Sequence, residues 1–246
     1  NFTIGHIRRK MIFVVPCRFN PAHPTILDCV QSIRKYHPDD SIVVVDSNSP
    51  DKSYFDKIRH IDNLSIEDCQ NVNYVHGAFW KVANRHESDH YYVLHDSMVL
   101  KANISFMKEK EIGSTRYFRS WNGVGGMVHN VNLYGPPTSR GLYRYGCDNL
   151  KQKEWMHNFY NPKKMFFNGL FGCSFIANKD VVGFMKKNNI DKILASNKNE
   201  MMAMERLLGA FFTDNNLKFW ENCLLGEHHE KPYENQYIKK ILLDRQ

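Results

Sequence analysis

Two short apolar runs with a helical pattern between them constrain the fold of this chain more than any other feature. The runs MIFVVP at 11–16 and SIVVVD at 41–46 are typical of strands that are buried on both faces of a sheet. Between them, apolar residues recur at helical spacing from Ile26 to Ile33, and Thr25 can cap the start of this helix. This order predicts a right-handed crossover, which brings the carboxyl ends of both strands to one edge of a parallel sheet.

Polar side chains follow the predicted strands at this edge. The clearest case is HYYVLHDSMVL at 90–100, where an apolar run leads into His95, Asp96 and Ser97. The first two strands end in the same way, with Pro16, Arg18, Asp46 and Ser47. A single Asp at a strand end is equally consistent with a structural hydrogen bond, but the repetition at three strand ends favours a site. Ligands of open α/β sheets bind at this edge, so we expect a binding crevice there.

The rest of the chain extends the α/β pattern. We expect a third strand at 72–76 and a helix at 77–86, then an apolar strand within 163–182 and a second clear helix at 199–215. The segment 113–165 is rich in Gly, Tyr, Trp and Asn and shows little periodicity, which indicates a binding wall. The predicted fold is therefore a single α/β domain with a mostly parallel central sheet flanked by helices.

Composition excludes several classes of protein. The chain has 246 residues, a net charge of +7 and a pI near 9.0, which permits anionic partners such as nucleotides. No basic run is dense enough for a nucleic-acid arm, so we expect no nucleic-acid partner. No apolar run approaches the roughly 18 residues that span a bilayer, and nothing resembles a signal peptide. Six cysteines without CxxC spacing argue against zinc and indicate reduced thiols in the cytoplasm.

Taken in order, these motifs resemble the GT-A class of nucleotide-sugar glycosyltransferases. The resemblance rests on FVVPCRFN, VVVDSNSPD, GAFWKVAN, YVLHDSMVL, GLFGCSFI, MERLLG and GEHHE, which together span most of the chain. It implies a GT-A (Rossmann-like) fold over 1–246, with a nucleotide-binding half at about 11–112 and an acceptor-binding half at about 113–246. It also implies a hexosyl- or pentosyltransferase that moves a sugar from a nucleotide-sugar donor to a glycan or other hydroxyl acceptor.

The resemblance assigns the donor site and a metal site. The residues it implies for the nucleotide-sugar are Pro16, Arg18, Asp46, Ser47, Ala78, Lys81, His95 and Asp96. The D-x-D motif of the class corresponds here to HDS, which offers one carboxylate instead of two for a divalent cation. A metal then requires Asp96 together with a histidine of the tail, His228 or else His229. Such a mixed set of nitrogen and oxygen ligands suits Mn²⁺ better than Mg²⁺.

Transfer of a sugar also requires cations, a base and an acceptor platform. Arg18, Lys81 and Arg85 can stabilise the leaving diphosphate. The acceptor residues that we predict are Trp121, Tyr143, Trp155 and Gly172. An inverting enzyme of this class needs a carboxylate near the helix at 199–215, where Glu200 matches by position. We favour Glu205, which borders the predicted buried face of that helix, because burial raises a carboxyl pKa towards the working range. If the enzyme retains configuration, neither glutamate need be a base.

Other functions fit the sequence less well. A dinucleotide-binding dehydrogenase needs G-x-G-x-x-G after the first strand, where this chain has PCRFNP. A nucleotidyltransferase would carry a Gly-rich loop with an arginine there, and this loop is absent too. The strongest rival is a non-catalytic nucleotide-sugar or glycan-binding domain with a degenerate site, because HDS lacks one carboxylate of the motif.

Overall fold

The structure is a computed structural model that describes residues 10–68, 74–121, 166–193, 198–228 and 233–241. The helices are α1 (Thr25–Tyr36), α2 (Tyr54–Ile58), α3 (Tyr74–Ala83), α4 (Lys179–Lys187) and α5 (Lys198–Asp214). The strands are β1 (Met11–Cys17), β2 (Ser41–Asp46), β3 (Leu64–Asp68), β4 (His90–Val93), β5 (Met98–Leu100), β6 (Ile112–Ser114), β7 (Tyr117–Trp121), β8 (Phe166–Leu170), β9 (Phe175–Asn178) and β10 (Ile238–Lys240). In this part of the chain, none of the helices has the length and apolar character needed to cross a membrane.

The centre of the fold is a six-stranded sheet in the order β3-β2-β1-β4-β9-β6. The first four strands in this order are parallel, and β9 is antiparallel to both of its neighbours. Helices cover both faces of this sheet. The predicted α/β fold with a mostly parallel central sheet and flanking helices is therefore confirmed.

The apolar run of β1 is buried on both faces, as a central parallel strand requires. Because side chains alternate along a strand, Phe13 and Val15 belong to the core that contains the buried side of α1, while Ile12 and Val14 belong to the core that contains α3 and α5. These two cores fix β1 between its neighbours. The strand therefore delivers its carboxyl end to a rigid position at the sheet edge.

The predicted strand at 72–76 is wrong. The third strand is β3, which pairs in parallel with β2 over Ile42↔Leu64 to Asp46↔Asp68. Residues from Tyr74 onward are already helical, and Tyr74 packs against the core from the first turn of α3. The alternation of apolar Leu64 and Ile66 with polar neighbours is the pattern that could have identified the true edge strand.

Two predicted continuous strands each divide into strands of different sheets. The stretch 90–100 forms β4 in the central sheet and β5, which pairs antiparallel with β10. The stretch 163–182 contains β8, which pairs with β7, and β9, which joins the central sheet. A turn at Phe171–Cys173 separates β8 from β9, and Gly172 and Cys173 there have φ values of 65° and 50°. Such positive φ values cannot continue a strand.

The predicted helix at 199–215 is confirmed as α5. Its predicted core residues are buried: Met201, Met204, Leu208 and Phe211. The carboxyl-terminal part of α5 lies against β8 so closely that a Cβ added at Gly209 would be 2.0 Å from the Asn168 carbonyl oxygen. This contact fixes α5 beside the turn that carries Gly172.

Candidate functional site

A cleft opens at the carboxyl ends of β1 and β4. The chain leaves β1 towards β2 and β3 on one side and returns to β4 on the other, so the strand order reverses at this point. Open α/β sheets bind their ligands at such a switch point. The cleft has a volume of about 310 Å³. Its lining includes five residues of the predicted donor site: Pro16, Arg18, Ser47, His95 and Asp96.

Asp96 is the carboxylate of this cleft. Burial raises its pKa to about 6, although hydrogen bonds from the Cys17 thiol and the Ser97 backbone and the charge of Lys240 act in the opposite direction. The Cys17 thiol is itself buried, and burial together with the neighbouring carboxylate raises its pKa well above the ordinary value. Asp96 therefore lies against a neutral thiol. Its ionised form is stabilised less than the ionised form of a salt-bridged carboxylate.

His95 connects the cleft to the turn after β8. Its Nε2 lies 2.6 Å from the Gly172 carbonyl oxygen, and because a carbonyl only accepts, Nε2 carries the proton. Burial and the charge of Lys240 lower the pKa of His95 to about 4, so the ring is neutral at pH 7. A Cβ added at Gly172 would lie 2.6 Å from the imidazole, and the φ of 65° also favours glycine there.

Gly172 also holds the predicted base. Its N–H donates to Oε1 of Glu205 at 2.8 Å, while its carbonyl accepts from His95, so the backbone of one residue contacts both side chains. Burial raises the pKa of Glu205 to about 7, while Arg206, the Gly172 N–H and Lys240 moderate the increase. A carboxylate with a pKa near the working pH can accept a proton from an acceptor hydroxyl.

Asp46 occupies the matching position on the other side of β1, but it does not line the cleft. Its side chain is fully buried and accepts hydrogen bonds from the Tyr54 hydroxyl at 2.8 Å, from the Ser49 N–H at 3.2 Å and from the Lys52 ammonium. Burial acts to raise the pKa of Asp46, but these donors outweigh it and the pKa lies below the ordinary value. Contact between Asp46 and a nucleoside stays a prediction.

The remaining predicted donor residues lie away from the cleft lining. Ala78 is fully buried in the core of α3. The Lys81 ammonium donates to the Asp68 carbonyl at the end of β3, and Arg85 pairs with Glu67 at 3.3 Å. These two cations therefore sit beyond β2 at the outer end of the sheet.

The structure brings part of the predicted acceptor region to the site. Gly172 lies beside the cleft, as described. Trp155, Tyr143 and His229 lie outside the described residues. The same holds for the side chains of Trp121 and Glu200, whose backbones belong to β7 and α5.

The described residues fit a divalent cation poorly. Among them, no three His, Cys, Asp or Glu side chains form a group that could hold a metal ion. Of the two predicted ligands, Asp96 lies against Cys17, while the His228 ring stacks on Phe171 with centroids 4.2 Å apart. A Mn²⁺ site made by Asp96 and His228 stays a prediction.

Sequence reasoning missed Lys240. It lies near enough to His95, Asp96 and Glu205 for its charge to lower the pKa of all three. In β10, Lys240 is on the same strand face as Ile238, which is fully buried. A lysine on the inward face of a short strand was the signal that could have identified it.

No protein-family model matches the sequence, and no curated protein matches it. Two S. aureus TarS structures, in complex with UDP and with UDP-GlcNAc, are 14% and 15% identical to the chain, with TM-scores of 0.43 and 0.44. They match 79% and 81% of this chain, which spans about half (54%) of each TarS chain.

A structure of GalNAc-T7 with UDP, GalNAc and Mn²⁺ also resembles the chain. It is 13% identical, has a TM-score of 0.36, and matches 45% of this chain and 22% of its own. Likeness at this level leaves the chemistry of the chain to be inferred from its own residues.

Proposed function

We propose that the protein transfers a sugar from a nucleotide-sugar donor to a hydroxyl group of a glycan or similar acceptor. One observation supports this proposal above the others. His95 lines a cleft at the switch point of the sheet and donates to the Gly172 carbonyl, and the Gly172 N–H donates to Glu205, a half-buried carboxylate whose pKa is raised to about 7. A nucleotide site and a general base are the two parts that an inverting transferase needs side by side.

The proposed step is a direct displacement at the anomeric carbon of the donor. The acceptor oxygen forms a bond to this carbon, and the bond between the carbon and the diphosphate oxygen breaks, with its electron pair leaving on the diphosphate. The acceptor hydroxyl proton passes to Glu205. The Gly172 N–H, 2.8 Å from Oε1, orients the carboxylate so that its other oxygen can take the proton.

The donor would lie across the ends of β1 and β4. Arg18 is exposed at the cleft and can meet phosphate oxygens, while Pro16 and Ser47 also line the cleft. We assign Asp96 to the region of the diphosphate and the sugar, and Asp46 to support of the loop that borders the nucleoside. The free thiols of Cys17, Cys29, Cys173 and Cys223 support a reducing, cytoplasmic setting.

A transfer assay tests the proposal. The protein is incubated with a panel of UDP-, GDP-, CDP- and ADP-sugars and with simple glycosides as acceptors, and the free nucleotide and the glycosylated product are measured by chromatography. We expect one donor to be consumed with matched formation of a glycoside, and we expect Asp96→Ala to reduce this turnover. Consumption of no donor, with no binding of any nucleotide, would contradict the proposal.

The same assay separates the rival function. The single carboxylate of the HDS turn favours a domain that binds a nucleotide-sugar without turning it over. Binding of a nucleotide-sugar by calorimetry, without product after prolonged incubation across the acceptor panel, would establish this rival.

A further inference from the structure

The backbone places Lys240 beside the end of β4. Strand β10 pairs antiparallel with β5, and Lys240 lies opposite Met98, two residues after Asp96. The next residue, Ile241, donates its N–H to the Ser97 carbonyl at 2.8 Å. Ser97 lines the cleft, so the tail of the chain is attached directly to the turn that carries Asp96.

The Lys240 side chain extends towards the turn at Phe171–Cys173. Its Nζ lies 5.4 Å from the centroid of the Phe171 ring. Phe171 precedes Gly172, the residue that contacts both His95 and Glu205. The pairing of β10 with β5 therefore fixes the backbone of Lys240, its ammonium lies over an aromatic ring, and the residue is half-buried.

The neighbouring lysine provides a natural contrast. Lys239 points away from the sheet, is exposed and pairs with Glu234 at 3.6 Å. Ile238, which shares a strand face with Lys240, is fully buried. The two adjacent lysines therefore have different environments, and only Lys240 exerts a charge effect on His95, Asp96 and Glu205 together.

We infer that Lys240 neutralises the diphosphate of the bound nucleotide donor, so that binding of the diphosphate does not depend on a divalent cation. This inference rests on the proposed function. The HDS turn offers one carboxylate, and among the described residues no group of metal-ligating side chains surrounds it. An ammonium with three donors can meet phosphate oxygens as a point charge and can stabilise the charge that develops as the diphosphate leaves.

Calorimetric titration with nucleoside diphosphates tests this role. UDP, GDP, CDP and ADP, each with its matching nucleoside, are titrated into the full chain in EDTA and again in Mn²⁺. We expect one diphosphate to bind the parent protein in EDTA, with a change of less than about threefold on addition of Mn²⁺. In Lys240→Met, binding of that diphosphate should weaken by about 10- to 100-fold, as expected for loss of a charged hydrogen bond. Binding of the nucleoside should be unchanged.

Two further variants complete the experiment. Lys239→Met should bind the diphosphate as the parent does, and Lys240→Arg, which keeps the charge, should retain most of the affinity. If the parent binds a diphosphate only when Mn²⁺ is present, or if Lys240→Met binds it as the parent does, the Lys240 inference is wrong while the proposed function survives. Should Lys240→Met fail to fold, the EDTA and Mn²⁺ titrations of the parent decide. No binding of any diphosphate in either buffer would reject the proposed function itself.

Discussion

The strands on either side of β1 lead to two carboxylates, Asp46 and Asp96, near the carboxyl end of β1. The environments of these two carboxylates are opposite. On the β2 side, Asp46 is fully buried and accepts three kinds of donor, so its pKa lies below the ordinary value. On the β4 side, Asp96 has the Cys17 thiol and the Ser97 backbone as hydrogen-bond partners, and burial raises its pKa to about 6.

This difference indicates that the two carboxylates at this sheet edge have different roles. A carboxylate with strong donors on every side organises the surrounding loop, as Asp46 does for residues 47–54. A carboxylate with weak donors at the lining of a cleft keeps its oxygens available for a ligand. The β4 side also leads through His95 and Gly172 to Glu205. We therefore expect substitutions on the β2 side to affect stability, and those on the β4 side to affect chemistry.

The largest effect, on turnover, should come from substitution of Glu205, the proposed base. Glu205→Gln should lower turnover by about 10²- to 10⁴-fold, because loss of a general base removes rate on this scale. Nucleotide binding should persist, since Glu205 does not line the cleft. Single-turnover transfer kinetics measure this loss, with Glu200→Gln as the matched control on the same helix. If both variants turn over like the parent, or if the product retains the anomeric configuration of the donor, Glu205 is not the base.

The next largest effect concerns the free energy of unfolding and the carboxylate on the β2 side. Asp46→Ala should lower the free energy of unfolding by about 2–3 kcal/mol, because it leaves the buried Tyr54 hydroxyl and the Ser49 N–H without their acceptor. Asp96→Ala should change it by less than about 1 kcal/mol, since burial already disfavours the ionised form there. Urea unfolding at pH 7 measures both values, and equal losses would erase the difference between the two sides.

A smaller effect is expected at Gly172, the residue that contacts both His95 and Glu205. Gly172→Ala should cost roughly 1–2 kcal/mol for the positive φ, and the collision of the new Cβ with the His95 ring, 2.6 Å away, should add to this. Combination with His95→Ala should recover the part due to collision. Gly183→Ala in α4 is the control, because its Cβ would meet nothing within 4 Å. That change should be neutral or stabilising, and a Gly172→Ala variant that matches it in thermal unfolding would contradict the tight fit.

The last expected effect is a pH dependence of stability. Burial raises the pKa of folded Glu205 from 4.5 to about 7 against the influence of Arg206 and Lys240, while the neighbouring Cys173 thiol stays neutral. The folded state then binds this proton more tightly than the unfolded state, so the Glu205 contribution to stability falls as pH rises from 4.5 to 7. Glu205→Gln cannot titrate. The melting temperature of this variant relative to the parent should therefore increase between pH 4.5 and pH 8, and an unchanged difference would contradict the raised pKa.

Much of the architecture follows from local pattern. The continuous apolar runs of β1 and β2 reflect burial on both faces, and the helical spacing of α1 and α5 reflects burial of one face, so each pattern is visible in the chain. The position of the cleft also follows, because a right-handed crossover leaves the carboxyl ends of parallel strands at one edge. Pro16, Arg18, Ser47, His95 and Asp96 could be brought to this cleft by sequence reasoning alone.

The sequence by itself determined the α/β class, the central parallel strands and the residues that end them, because these depend on alternation and turn chemistry within a few residues. Only the tertiary structure decided that Asp46 is enclosed by Lys52 and Tyr54 while Asp96 faces a cleft, and that Lys240 reaches the same region from the tail. The apolar pattern within 90–100 and 163–182 is the same whether one strand or two are formed. Pairing partners far along the chain resolve this choice. The burial that sets each pKa also depends on residues far along the chain, and neither is encoded in local spacing.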